Sequence, residues 1–213
     1  MKQLNRIVTF AVPTVLLCIA AVQTAVDPRL LMLDPLVAAE ISDKCCSVYF
    51  GIISTIGIMG WIATTAICAF TAYFLYVYGA PKQAFYFSLS ASMFTGFLAF
   101  DDAFLFHEVV APRLGISQNS VLGAYVGVAG IYCLLAWRFI LLSDMVLFVA
   151  AGLFLATSMG LDVVLHSTDT RIVFLEDGTK FIGIFCWLGF HTSAMTKLLG
   201  EYVIEKKARL APS

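Results

Sequence analysis

Six uninterrupted apolar runs constrain this chain more than any single motif in it. A spanning helix needs about 20 predominantly apolar residues, and residues 7–26, 48–78, 85–106, 121–142, 145–165 and 181–199 all meet that length. Barrel strands alternate apolar and polar residues over about ten positions, whereas these runs are apolar throughout. The composition agrees: 61% of the residues are hydrophobic and 13% charged, against roughly 45–50% and about 25% in soluble domains. Mean hydropathy is +0.92. A soluble fold and a disordered chain are both excluded. The expected fold class is an all-α integral membrane protein, a compact bundle of six transmembrane helices in which residues 1–213 form a single polytopic membrane domain. The lipid bilayer is its first partner.

The start of the chain, Met1 to Arg6 followed by an apolar run, imitates a signal peptide. The run is long for such a segment and no A-x-A cleavage site follows it, so it is read as a retained anchor. Residues 48–78 exceed one crossing and are expected to tilt or project. Lys and Arg residues set the orientation. An inward N-terminus places Lys2, Arg6, Lys82, Arg138, Lys197, Lys206, Lys207 and Arg209 inside, against Arg29, Lys44, Arg113, Arg171 and Lys180 outside. That bias favours an N-in, C-in arrangement, in a plasma (inner) membrane. The formal net charge of −1 leaves no basic surface for nucleic acid.

Small residues recur at four-residue spacing: Ala91, Thr95, Ala99 and Ala103, then Gly123 and Gly127, then Gly152, Ala156 and Gly160. Such ridges let helices approach closely in lipid. Cys18, Cys68, Cys133 and Cys186 sit inside apolar runs and read as packing residues. The vicinal pair Cys45-Cys46 has neither a redox nor a zinc spacing.

The acidic residues divide unevenly under this topology. Only Asp144, Glu201 and Glu205 fall inside; the other carboxylates and all three histidines fall in the outer half or near the midplane. On a continuous helix Asp101 and Glu108, seven apart, share a face, while Asp102 and His107 point away from each other. Asp162 and His166 are four apart on one face, extended by Ser158. Glu176 and Asp177 are expected to open the last helix, where its dipole favours them, and Lys180, Ile184, Trp187 and His191 follow along one face. His191 lies ten residues past Phe181, roughly 15 Å along a helix, and so near the bilayer centre. Ionisable groups at such depth are functional candidates by default.

No finished catalytic signature is present, neither H-E-x-x-H nor G-x-S-x-G nor a P-loop. Two readings therefore stand. The first is a non-enzymatic membrane component, an accessory, binding or permease-type protein whose polar cluster meets another subunit, a second copy or a cation. The alternative is a metal-dependent enzyme acting on a lipid or other apolar substrate. There Asp101, Glu108, Asp162, His166 and His191 would be ligands of zinc or iron, and Asp102, His107, Glu176, Asp177 and Lys180 would serve in acid-base roles around them. Reporter fusions after Lys82 and after Arg209 should both report the cytoplasm. An external signal at either would overturn the orientation.

Overall fold

A computed structural model describes residues 2–42, 47–165 and 169–210, with side chains as far as residue 204. Cys45, Cys46 and His166 lie outside the described residues. Within them every regular element is helical and no strand occurs. Helix α1 (Lys2–Val22) takes in the polar residues ahead of the first apolar run and stops short of that run's end. The stop has a local cause. Gln23 donates through Nε2 to the Val26 carbonyl at 2.7 Å and accepts from the Ala25 and Val26 amides, offering the backbone an alternative to another helical turn.

Residues 28–41, left as a connection by the apolar pattern, hold two short helices, α2 (Pro28–Met32) and α3 (Pro35–Ile41). Each starts with the same dipeptide: Asp27-Pro28 and Asp34-Pro35 put an aspartate at the N-cap and a proline at the first helical position, where its missing N–H costs nothing. Helix α4 (Ile52–Val77) begins only after Gly51, at φ 62°. A Cβ there would come within 2.7 Å of the Pro35 nitrogen and Cγ. This close approach shortens the over-long 48–78 run, because Val48, Tyr49 and Phe50 form a turn instead of extending the helix.

Helix α5 (Lys82–Phe104) ends at Leu105; a π-helical turn (Phe106–Val110) and the short α6 (Ala111–Arg113) follow, bent by 60° from α5. Then come α7 (Gln118–Leu142), α8 (Met145–Leu165) and the long α9 (Thr170–Leu210). Among the described residues α1, α4, α7 and α8 are long and apolar enough to cross a membrane, and α5 with its bent continuation makes a fifth if counted as one span. Their outer faces are apolar: Leu134, Leu135 and Val164 are each at least 75% exposed. A surface of that kind belongs in lipid.

Helix α9 is the centre of the packing and touches α8, α4, α1 and α2. Its Ile184, Cys186, Trp187, Phe190, Ala194 and Met195 are buried with Trp61, Phe87, Tyr132 and Leu147 in the main core, and its Val173 and Phe181 join a second cluster with Leu17, Leu31, Met32 and Ile53. At one end Arg6 holds Asp144 through two nitrogens at 2.8 Å, and Lys197 donates to the Leu142 carbonyl at 2.7 Å. Burial alone would push the Asp144 carboxyl up; the Arg6 guanidinium outweighs it and holds the group below the usual carboxylate range.

The close approaches are not where the small-residue spacing suggested. Gly123, Gly127, Gly130, Gly152 and Gly160 have nothing within 4 Å of a would-be Cβ, and Ala103 is exposed. Tight packing is instead centred on α9. Gly183 sits 2.8 Å, as a Cβ distance, from Leu155 Cγ of α8; Gly60 sits 2.9 Å from Ile184 Cγ2; and Gly189 packs against Thr9 of α1. In the α5 row Ala91, Thr95 and Ala99 are buried as anticipated. Gly183→Ala should destabilise the bundle by about 1–3 kcal/mol through overpacking. Gly127→Ala should be neutral or stabilising by up to about 1 kcal/mol through helix propensity. Equilibrium unfolding in mixed micelles checks both, and equal effects would mean that the α7 glycines are packed.

Candidate functional site

Leu105 decides the geometry of the site. It is the only non-glycine residue with positive φ among those described, at 51°, a left-handed conformation that costs an L-residue roughly 1–2 kcal/mol. It closes α5 and launches the π-turn, so the seven-residue face shared by Asp101 and Glu108 on a continuous helix does not exist. The chain folds back and His107 meets Asp101. The His107 amide donates to Asp101 Oδ1 at 2.9 Å, and its Nδ1 lies 2.6 Å from Asp101 Oδ2. Tyr125 of α7 donates its hydroxyl to Asp101 Oδ1 at 2.6 Å. With both its oxygens engaged, Asp101 fixes the imidazole orientation from one side. An ionised carboxylate only accepts, so Nδ1 carries a proton and Nε2 is the working nitrogen. Nε2 sits 3.4 Å from Glu108 Oε1. The two atoms stand at ion-pair distance without a hydrogen bond between them, so a proton on either one is available to a bound molecule.

A second polar knot lies beside it. Lys180 of α9 contacts Asp102 Oδ1 at 2.6 Å, and the Trp61 indole of α4 donates to Asp102 Oδ2 at 2.9 Å. Asp34, the N-cap of α3, accepts from Ser54 at 2.6 Å. Its burial pushes the carboxyl above the usual range, against the opposing pull of the Lys180 charge and the Ser54 hydrogen bond. Asp162 of α8 accepts from Gln118 of α7 at 2.8 Å.

These groups line one cavity of about 600 Å³. Asp34, Asp101, Asp102, Glu108, Asp162, Glu176 and Asp177 give it seven carboxylates, joined by His107 and Lys180. The rest of its wall is largely apolar and aromatic, including Phe94, Leu98, Val126, Ala129, Tyr132, Phe148, Leu155 and Met159. The volume is in the range of sites that enclose a small organic ligand.

Of the residues singled out from the sequence, Asp101, Asp102, His107, Glu108, Asp162, Glu176, Asp177 and Lys180 are thus brought together around one space. His191 is not. It is fully buried, with Nδ1 3.0 Å from the Trp187 carbonyl one turn earlier and Nε2 3.0 Å from the Tyr132 hydroxyl. A carbonyl cannot donate, so Nδ1 bears the proton and Nε2 accepts from Tyr132. Both nitrogens are occupied, which corrects the expectation of a metal ligand in favour of an interhelical hydrogen bond. Asp162 is met by Gln118, and its expected partner His166 lies outside the described residues. Among the described residues no three His, Cys, Asp or Glu side chains are gathered so as to hold a metal ion, so the zinc or iron expectation finds no ligand set there. Glu176 and Asp177 do not open α9, which starts at Thr170 with Asp169 accepting the Arg171 amide. They lie inside it, so the helix start no longer explains them. Asp34, Trp61, Gln118 and Tyr125 were not singled out; only Asp34, through its Asp-Pro signal, carried a local mark.

Tyr125→Phe should cost about 1 kcal/mol of unfolding free energy, the worth of one hydrogen bond, whereas Asp101→Ala, which strands three donors, should cost about 2–5 kcal/mol. Equilibrium unfolding in micelles measures both, and an Asp101→Ala effect no larger than that of Tyr125→Phe would contradict this geometry.

No curated protein and no solved structure matches the chain. A family model does, from residue 6 to residue 194, and its description is a domain of unknown function, DUF8692. The match runs from Arg6, at one end of the bundle, through every helix that builds the cavity, and the chain belongs to the DUF8692 family.

Proposed function

We propose that this protein is a polytopic membrane component that receives an amphipathic, lipid-like molecule in its cavity, the apolar part between α7 and α8 and the polar part among the carboxylates. The observation that carries this reading is the cavity itself, ionisable at one end and apolar along its wall. Its α7–α8 side is thin. Val126 lines the cavity yet is 54% exposed, and Gly152 lines it with no neighbour near its Cβ position, so a ligand can enter laterally from lipid. In this reading α9 is the sixth crossing. Its lower hydropathy suits a helix enclosed by protein, both chain ends are cytoplasmic by the distribution of Lys and Arg, and the polar end lies on the non-cytoplasmic side. The role is that of a binding, accessory or permease-type component. Lipid is its standing partner, and a second subunit or copy can share it.

A second reading, an enzyme acting on a lipid or other apolar substrate, is favoured by one observation. The Asp101-oriented imidazole presents Nε2 beside Glu108, the arrangement of a general acid-base pair.

Trp61 and Trp187 line the cavity and report its contents. In nanodiscs of zwitterionic lipid, ω-bromododecanol should quench their fluorescence saturably. Gly152→Phe, whose Cβ has nothing within 4 Å, should abolish the saturable part and leave thermal unfolding unchanged. Equal quenching in the variant would overturn the binding reading. A lipid product formed by wild type in vesicles and absent with His107→Gln would favour the enzyme.

A further inference from the structure

Resting on that reading, we infer that the polar part of the ligand is positively charged: the cavity selects an amphiphile with an ammonium headgroup, held by Glu108 and Asp177. Asp101, Asp102, Asp34 and Asp162 each have donors of their own within the bundle, and the one lysine of the cavity, Lys180, is already committed to Asp102 at 2.6 Å. Glu176 is engaged as well, which leaves two of the seven carboxylates. Glu108 has only the His107 Nε2 atom at 3.4 Å. Asp177, partly buried and lining the cavity, makes no hydrogen bond and no ion pair among the described residues. Glu108, Asp177 and Asp34 line the same cavity.

Glu108 is exposed and Asp177 partly buried, so water reaches both; a ligand that displaces this water must bring donors of its own, because a carboxylate taken out of water without a partner is costly. The space in front of Glu108 and Asp177 is therefore shaped for a cation that arrives with the ligand. A primary ammonium fits three features of this end. It brings three N–H donors and no acceptor, matching a surface of acceptors. Trp61 and Tyr125, held in place by Asp102 and Asp101, add aromatic faces that attract a cation. The apolar wall takes the attached chain. An inorganic divalent ion fits less well, because no three-ligand set is gathered among the described residues. An anionic headgroup meets like charge from seven carboxylates.

The experiment compares three probes of one chain length, ω-bromododecylammonium, ω-bromododecanol and ω-bromododecanoate, by tryptophan quenching at pH 7 in zwitterionic nanodiscs, with partitioning into empty discs subtracted. The ammonium should bind at least about tenfold more tightly than the alcohol, and the carboxylate more weakly than either. In the Glu108→Gln, Asp177→Asn double variant, ammonium and alcohol should converge to within about twofold. If the wild type binds alcohol and ammonium equally, the charge inference is overturned while the amphiphile reading stands. If none of the three binds saturably, the amphiphile reading falls first. Calcium chloride that displaces the ammonium at equal concentration would assign the site to an inorganic cation and overturn the proposal. The wild-type comparison decides the matter even if the double variant does not fold.

Discussion

The polar end of the bundle is organised around one ammonium group, that of Lys180, whose ion-pair partner is Asp102. Lys180 sits on the central helix, and the contact with Asp102 ties α9 to α5 while the Trp61 indole brings α4 to the same carboxylate. Three helices are thereby registered at one point. The remaining polar groups follow the same constraint in the absence of further cations. Asp34 turns to a serine, Asp162 to a glutamine, and Asp101 to an imidazole and a phenol. Each borrows a donor from a different element, so the carboxylates act as cross-links between helices.

The opposite end is held in another way. Arg6 and Asp144 form a bidentate pair, Asn5 reaches the Gly189 carbonyl, and Tyr202 reaches the Tyr78 carbonyl. Between the two ends α9 packs tightly against α8 and α4. Helix α7 is the peripheral member, presenting Gly123, Gly127 and Gly130 to open space. Rigidity is thus unevenly shared, with the wall formed by α7 the one most easily displaced.

The helical layout was legible because length and apolarity in a bilayer leave the backbone no other solution: the greater part of each of the six apolar runs lies on a long helix. That Asp101 and Asp162 turn toward one cavity was legible for the same reason, since charge is costly against hydrocarbon. Their pairing was not. It turns on Leu105, an apolar residue between two phenylalanines that gives no sign of a break, so helical spacing assigned Asp101 to the wrong neighbour. His191 is buried in the bundle, but Tyr132 lies 59 residues away in sequence, and no periodicity links them. Glycine spacing reads identically whether a ridge is packed, as near Gly183, or bare, as near Gly127.

The π-turn has a consequence for the phase of the chain. The amides of Val109 and Val110 both point to the Leu105 carbonyl, at 2.8 and 3.3 Å, which absorbs an extra residue relative to an α-helical path. Each α-helical residue advances the side chain by about 100°, so one added residue reassigns every direction downstream of it. His107 and Glu108 are adjacent in sequence and differ in partner by that single step: one faces back to Asp101, the other toward the interior space. A deletion or insertion in residues 105–110 would therefore act like turning a key by one notch. It would leave composition, depth and apolarity untouched while changing which of the two side chains addresses the carboxylate and which addresses the ligand.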